Sequence, residues 1–251
     1  MQITSLFSLP ESWAAAHPMD ASDWRTRWVA AGIGTFDQWN NLRVVAVRNL
    51  VWVISGSPAA NEWLQNHLDA IAGEVAATVD DAVPLEVRER SIGVRKDADS
   101  LWAYRIPRFV ACKGSTNWKP HFEPALDQAL LDRMTRSIEA SLRRELTAWG
   151  RLPEVLADGQ PFMVISNPGR PVVIPAIHAN RSGHGKSVSV LTRSAMVLMS
   201  PFRLEGEFFA GPLSSIGYGR LQRTSAPEML DRRTQRALLT LPHEHEAPSC
   251  I

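Results

Sequence analysis

The sequence contains little of what secreted, membrane-spanning or metal-binding proteins use. Its two cysteines, Cys112 and Cys250, form no metal-ligand spacing, and such sparse cysteine usage is typical of a reducing compartment. No apolar run approaches the ~20 residues that span a bilayer. The first residues lack the basic start and long apolar core of a signal peptide. We therefore expect a cytoplasmic protein with no membrane segment.

Acidic residues are scarce in one long part of the chain. Between positions 161 and 223, seven Lys or Arg residues are opposed only by Glu205 and Glu207, whereas positions 58–81 hold five acids and no Lys or Arg. A polyanion would bind the first of these regions and avoid the second. Nucleic-acid binding is therefore one interpretation, and an ordinary solvated surface with uneven charge is the other.

The first half of the chain alternates strand and helix patterns. The predicted elements are a strand at 2–8, a helix from Asp20 or Ser22 to Ala31, strand structure at 43–54, a helix at 60–78, and strands at 83–94 and 101–111. The stretch 43–54 is either one strand or a hairpin turning at Arg48-Asn49. The order β-α-β-β-α-β is typical of a ferredoxin-like unit, which we place at 1–119. The aromatic signature of the RNA-recognition motif, which shares this architecture, is missing.

A long amphipathic helix, predicted from Pro124 to Trp149, opens the second unit at 120–223. Its apolar residues recur four apart and form one stripe. Arginines on the opposite side are mixed with acids, which favours an ordinary surface helix over an RNA-binding one. Strands are predicted at 162–166, 172–175, 188–199 and 202–209, and a polar tail at 224–251.

The stretch from Val188 to Arg223 is the most informative part of the sequence. Two β-rich runs lead into Gly211-Pro-Leu-Ser-Ser-Ile-Gly217-Tyr218-Gly219-Arg220. Glycines let a backbone approach a ligand closely, and the tyrosine and arginine suit base and phosphate contacts. The triplet is not a dinucleotide-binding fingerprint, because Gln222 occupies the position of the third glycine.

A cationic segment at Ile177–Ser187 precedes these strands. Gly185-Lys186-Ser187 is similar to the end of a P-loop, but that motif needs glycine where Asn180 stands, and a helix where β-branched residues follow. We predict a flexible loop between strands that holds phosphates. A solvated loop without a ligand is the alternative.

The seven histidines and the carboxylates form no pattern that would bind a metal, and no cofactor motif is present. An RNA-cleaving interpretation is therefore metal-free: the ribose 2′-hydroxyl attacks the adjacent phosphate. Such chemistry uses a base, an acid and cations that stabilise the transition state. Histidine suits the acid or base role, and arginine suits charge stabilisation.

These features resemble the RAMP superfamily, the RNA-binding proteins of CRISPR systems, which includes the endoribonucleases that cut CRISPR precursor RNA. The resemblance is most specific at 187–222, where the glycine loop looks most like that of the type IV processing enzymes. It implies an α+β fold of tandem ferredoxin-like (RAMP/RRM-like) units, with antiparallel sheets and a long helix between them. It also implies an enzyme that binds the repeat stem-loop and cuts at its 3′ base without a metal. The product then stays bound beside other effector subunits.

Many family members carry a catalytic histidine on or near the first helix. Here that neighbourhood holds His17, Arg25 and Arg27, and His17 matches poorly because it precedes Pro18 in a predicted loop. The resemblance then implies that arginines act, and we predict catalysis by Arg25, Arg27 or Arg43, with His17 as the weaker candidate. The predicted RNA-binding residues are His178, Arg181, His184, Lys186, Arg193, Gly217, Tyr218, Gly219, Arg220, Arg136, Arg143 and Arg144.

Two other functions stay open at this point. A non-catalytic RAMP subunit that binds the 5′ handle of mature CRISPR RNA would also carry a glycine loop. A generic RNA chaperone would show no preference for the repeat stem-loop. Cleavage of that RNA at a defined position would indicate an enzyme, and binding alone a scaffold subunit.

Overall fold

The computed structural model describes residues 1–81, 83–96, 101–113, 118–123, 126–157, 162–179 and 185–224. Its helices are α1 Glu11–Ala16, α2 Ala21–Ala30, α3 Phe36–Trp39, α4 Pro58–Val79, α5 Gln128–Ala148 and α6 Glu154–Ala157. Its strands are β1 Gln2–Ser8, β2 Leu42–Val47, β3 Leu50–Ser55, β4 Leu85–Arg90, β5 Gly93–Lys96, β6 Trp102–Lys113, β7 Val164–Asn167, β8 Arg170–Ala179, β9 Gly185–Ser200, β10 Phe202–Glu205 and β11 Gln222–Arg223. Among the described helices, none is long and apolar enough to cross a membrane.

The first sheet has the strand order of a ferredoxin-like unit. Its strands run β2-β3-β1-β4, every neighbouring pair antiparallel, and α2 and α4 pack on one face. The turn at Arg48-Asn49 makes β2 and β3 a hairpin, with Arg48 in the left-handed region at a φ of 56°. The hairpin alternative and the β-α-β-β-α-β order are therefore confirmed for this sheet.

Local signals fix α2, the helix that carries Arg25 and Arg27, two of the four candidate catalytic residues. Asp20 caps it through the backbone N–H groups of Ser22 and Asp23, as the sequence predicts. Trp24 and Trp28, four residues apart, are fully buried in the core beneath the sheet. Because these tryptophans fix one side of α2, its other side is left to face the second unit.

The end of the first unit differs from the prediction. The predicted strand 83–94 is two strands: β4 pairs with β1, and β5 pairs with β10 in a separate two-stranded sheet. The predicted strand 101–111 is β6, and it pairs with β9 and β11 in the second large sheet. Strand pairing partners are set by long-range packing, which the local pattern does not encode. The domain boundary at 119 stays a prediction.

The second sheet is built on the long strand β9. Its order is β11-β6-β9-β7, and β8 also pairs with β9. The helix α5 begins at Gln128, capped by Asp127, rather than at Pro124, and buries its predicted stripe at Leu130, Met134, Ile138 and Leu142 against this sheet. The sheet and α5 form the second core.

Both described ends of the predicted loop at 177–187 are strand. β8 continues to Ala179 and β9 begins at Gly185, so His178 lies opposite Lys186 in an antiparallel pair. The prediction of a loop there was wrong at its two ends, because strand pairing extends the β-branched runs on either side. Arg181 and His184 fall in the interval 180–184, outside the described residues.

Candidate functional site

The glycine loop, residues 206–220, folds back on itself between the two units. Phe209 and Arg220 form an isolated antiparallel bridge, and the N–H of Gly219 donates to the carbonyl of Arg108 on β6 at 2.8 Å. Gly219 has a φ of 75°, and a Cβ there would overlap the carbonyl oxygen of Ala210. Glycine is therefore required at 219 both by conformation and by space.

The tip of the loop is seated on the first unit. Gly217 has a φ of 85°, and a Cβ there would come within 2.9 Å of the Val44 carbonyl oxygen on β2. Ile216 packs against the core of the first unit and also against a small cluster around Val190 on β9. The loop thus joins the second unit to β2 and α2.

The helix α5 holds the loop from the opposite side. Oγ of Ser141 accepts the N–H of Gly211 at 2.9 Å, and Oε2 of Glu145 accepts the N–H of Phe209 at 3.4 Å. Backbone N–H groups buried in a loop need such acceptors. The long helix therefore has a structural role in shaping the loop.

Arg25 joins α2 to the glycine loop. Its Nη1 donates to Oγ of Ser215 at 3.0 Å and its Nη2 to Oδ1 of Asn40 at 3.1 Å. The side chain is only 7% exposed, and its Nε has no hydrogen-bond partner among the described residues. Burial, with a smaller repulsion from Arg43, lowers the pKa of Arg25 to about 10. The guanidinium stays charged at neutral pH, so a buried positive charge lies directly behind the loop.

A cavity of about 550 Å³ opens beside the loop tip. It lies between the start of α2, the β2–β3 turn, the middle of β6 and the loop. The charged and ionisable side chains that line it are Asp20, Arg48, Arg108, Tyr218 and Arg220. With three arginines and one carboxylate, the lining suits a phosphodiester.

Tyr218 contributes an ionisable phenol to this lining. Burial raises the pKa of its phenol, and Asp20 adds to the rise while Arg108 opposes it. The phenol is therefore neutral at physiological pH and can donate its hydrogen. A neutral donor between cations can bind a non-bridging phosphate oxygen.

Glu145 of α5 is a buried acid that interacts electrostatically with Arg43. Burial raises its pKa to about 7, while Arg43 and the Phe209 N–H act in the opposite direction. Its Oε1 has no hydrogen-bond partner in the described part of the chain. A raised pKa means that the folded state binds the proton more tightly than the unfolded state does.

Ionised Glu145 is expected to reduce stability as pH rises. The loss of unfolding free energy is absent below the unfolded pKa of about 4.5. It grows as pH rises to about 7 and reaches its full value above that pH. The shift corresponds to about 3 kcal/mol, so Glu145→Gln should be up to that much more stable than the parent at pH 8 and equal to it at pH 4. Denaturant unfolding at both pH values measures this difference. A glutamine variant that is less stable than the parent at pH 8 would contradict it.

The predicted catalytic residues are not all brought to the loop. Arg25 lies at the loop, and Arg43 lies near it on the face of β2 that also carries Val45. Arg27 points away and pairs with Glu74 of α4 at 3.7 Å. His17 follows α1, is exposed, and stacks on Trp13 with a centroid distance of 4.8 Å. Among the described residues that line the cavity, none is a histidine.

Several predicted RNA-binding arginines have structural partners. Arg193 is buried and donates to the backbone carbonyls of Pro168, His121 and Gly169. Arg220 makes two hydrogen bonds to Glu207, at 3.0 and 3.2 Å, and lies over the Trp52 ring. The sequence could not reveal these partners. Those of Arg193 are backbone carbonyls, which leave no mark on residue type, and Glu207 reaches Arg220 only because the loop folds back.

The three arginines predicted on α5 have different surroundings. Arg143 lies over the ring of Phe162 at 5.1 Å, and Nη2 of Arg144 donates to Oγ of Ser141 at 3.3 Å. Arg136 is exposed. None of the three lines the cavity beside the loop, so they stay predictions for a separate part of the surface.

Four residues of the site were missed by the sequence analysis. Arg48 and Arg108 line the cavity, and Asn40 and Ser215 hold Arg25. The hairpin turn that the sequence suggested at Arg48-Asn49 was a signal for Arg48, and the residue has the positive φ that such a turn requires. The others are ordinary residue types whose role depends on long-range contacts.

Comparison with solved structures identifies the fold. The chain is similar to a structure described as "Csf5, CRISPR-Cas type IV Cas6 crRNA endonuclease", with a TM-score of 0.55, 16% identity, and coverage of 89% of this chain and 99% of that one. It is also similar to "Crystal structure of Cas6b", with a TM-score of 0.53, 10% identity, and coverage of 89% and 100%. No family model and no curated protein matches the chain. The predicted α+β fold with antiparallel sheets is confirmed.

Proposed function

We propose that the protein is an endoribonuclease that processes CRISPR precursor RNA. It binds the repeat stem-loop, cuts it without a metal by 2′-hydroxyl attack, and keeps the product within a cytoplasmic effector complex. One observation carries the proposal: the glycine loop closes on α2 and β2 to form an arginine-lined cavity, with Arg25 bound to the loop at 3.0 Å. The fold, shared with a type IV crRNA endonuclease, supports it.

In the proposed reaction the ribose 2′-hydroxyl loses its proton and its oxygen forms a bond to phosphorus. The bond from phosphorus to the 5′-oxygen breaks, and that oxygen takes up a proton. The products are a 2′,3′-cyclic phosphate and a free 5′-hydroxyl. Negative charge grows on the phosphate oxygens in the transition state, and fixed donors stabilise it. Arg48, Arg108 and Tyr218 line the cavity, and in this proposal the two arginines contact the phosphate while the neutral Tyr218 phenol donates a hydrogen bond to it. Arg25 and Arg43 supply charge from behind the loop.

The lining of the cavity favours a mechanism without a divalent cation. Arg48, Arg108 and Arg220 line it, and they repel a metal ion. The Asp20 carboxylate is already used, because its Oδ1 accepts the N–H groups of Ser22 and Asp23. Arginine side chains can therefore supply the positive charge that a metal ion supplies in other nucleases.

A non-catalytic subunit that binds the 5′ handle of CRISPR RNA is the second candidate. It is favoured by the burial of Arg25, 7% exposed, and by the absence of histidine from the described lining of the cavity. Incubating the purified protein with the repeat RNA of its own CRISPR array separates the two. A single defined cut supports the endoribonuclease, and binding without a cut supports the scaffold subunit.

A further inference from the structure

A second groove lies next to the candidate cavity. It has a volume of about 620 Å³ and lies between the end of β4, β10, the start of the glycine loop and β11. Arg220 and Gln222 line both the groove and the cavity. A chain that leaves the cavity past these two side chains therefore enters the groove directly.

The groove carries an excess of positive charge. Arg90, Arg203, Arg220 and Arg223 line it, against the two carboxylates Glu205 and Glu207. Glu207 is engaged by Arg90 at 2.7 Å and by Arg220 at 3.0 Å, so it fixes two of the cations and offers little repulsion to a phosphate. Across the strand pairs, Arg95 lies opposite Arg203 and Arg105 opposite Gln222, which extends the basic surface beyond the groove.

Arg203 and Arg223 are held by an aromatic ring. Both guanidinium groups lie over the Trp102 indole, each 5.4 Å from the ring centroid. Nε of Arg203 lies 3.9 Å from a carboxylate oxygen of Glu205 and has no hydrogen-bond partner within the described residues. Arg203 is 31% exposed, and Arg223 is exposed. Two flat cations are thus oriented by stacking and remain accessible.

We infer that this groove binds a single-stranded flank of the RNA whose scissile phosphate occupies the cavity. The inference rests on the proposed function and extends it. Arg203 and Arg223 bind phosphates and stack on unpaired bases, because a guanidinium plane accepts a base on its free face. Trp102 sets the orientation of both. A base within a duplex cannot expose its face in this way, so the flank must be unpaired.

The inference is tested with three RNAs: the repeat stem-loop alone, the stem-loop with a single-stranded 5′ flank, and the stem-loop with a 3′ flank. One flank is expected to raise affinity at least about 10-fold, and Arg203→Ala with Arg223→Ala should remove that gain. The log–log salt slope of the flanked RNA should fall by about 1.4 for two lost phosphate contacts. Binding and cleavage of the stem-loop alone should stay within twofold of the parent. Arg151→Ala, at an exposed arginine outside the groove, is the control for loss of a single surface charge, and it is compared with Arg203→Ala and Arg223→Ala made one at a time.

A lysine pair separates stacking from charge. Arg203→Lys with Arg223→Lys should keep the salt slope but lose most of the difference between a normal flank and an abasic flank. Trp102→Leu should weaken flank binding, and Trp102→Phe should retain most of it. An unstructured 12-nucleotide RNA alone tests the groove independently of the stem-loop, and its affinity should fall about 10-fold or more in the double alanine variant.

Failure of the inference and failure of the proposed function look different. Suppose that the parent protein neither binds nor cuts the stem-loop but binds the 12-nucleotide RNA through Arg203 and Arg223. That result would contradict the proposed function and support single-strand binding in the groove. The groove proposal would be wrong if the parent cuts the stem-loop but neither added flank changes RNA affinity and the double alanine variant binds flanked RNA as the parent does. Competition by polyglutamate as strong as by single-stranded RNA would also overturn it, because a general polyanion site needs no bases.

Discussion

Replacing Arg25 by alanine is expected to slow single-turnover cleavage of the repeat RNA by about 100-fold or more, with RNA affinity within a few-fold of the parent. Arg25 places a buried positive charge behind the glycine loop and holds Ser215 and Asn40 through two hydrogen bonds. Removing one preorganised charge-stabilising group typically costs 100- to 1,000-fold in rate, about 2.7–4 kcal/mol. The measurement is the observed rate constant with enzyme in excess over RNA.

Arg27→Ala is the matched control for this experiment. Arg27 lies two residues further along α2, is 46% exposed, and pairs with Glu74 instead of facing the loop. The structure thus separates two residues that the sequence analysis grouped together, and the control should cleave at the parental rate. Arg25→Lys should recover part of the rate, because it restores charge but not the two-pronged hydrogen bonding. If Arg25→Ala cleaves as fast as Arg27→Ala, Arg25 has no part in the reaction.

Replacing Gly219 by alanine is expected to disrupt the site more severely than replacing any other turn glycine among the described residues. Gly219 has a φ of 75°, and an added Cβ would overlap the Ala210 carbonyl oxygen and lie 2.8 Å from its carbon. The left-handed backbone conformation alone costs a non-glycine residue about 1–2 kcal/mol. The overlap also breaks the hydrogen bond from the Ala210 N–H to the Gly219 carbonyl. Unfolding free energy should fall by at least about 3 kcal/mol, and cleavage by at least about 100-fold.

Gly32→Ala isolates the contribution of conformation. Gly32 has a φ of 79°, but a Cβ there meets nothing within 4 Å. Its substitution should cost only about 1–2 kcal/mol and leave cleavage unchanged. Equal losses of stability in the two variants would show that the close approach of the loop strands does not matter.

Helix α2 and the β2–β3 hairpin of the first sheet could be predicted from the sequence because their signals are local. The turn at Arg48-Asn49, the Asp20 cap and the Trp24–Trp28 pair each lie within a few residues of the structure they determine. β6 could not be assigned to its sheet in this way. Its partner β9 lies more than 70 residues further along the chain, and strand register is set by packing on both faces.

The sequence predicted the glycine positions of the loop, but it predicted only some of the charged side chains at the candidate site. Gly217 and Gly219 were selected for the backbone freedom that they use, since both have positive φ. Arg193 and Arg220 were selected for charge, and the fold commits them to backbone carbonyls and to Glu207. Arg108 and Ser215 carry no sequence signal, because only the folded chain brings β6 and the loop to α2.

Cleavage of a substituted repeat RNA tests the central claim most directly. The protein is mixed in EDTA with its own repeat RNA and, in parallel, with the same RNA carrying a single 2′-deoxy nucleotide at the scissile position. The unmodified RNA should be cut once, at a defined position, and the upstream product should end in a cyclic phosphate. The deoxy RNA should bind with unchanged affinity and should not be cut. Cleavage that requires magnesium or manganese, or that survives the 2′-deoxy substitution, would contradict metal-independent attack by the 2′-hydroxyl.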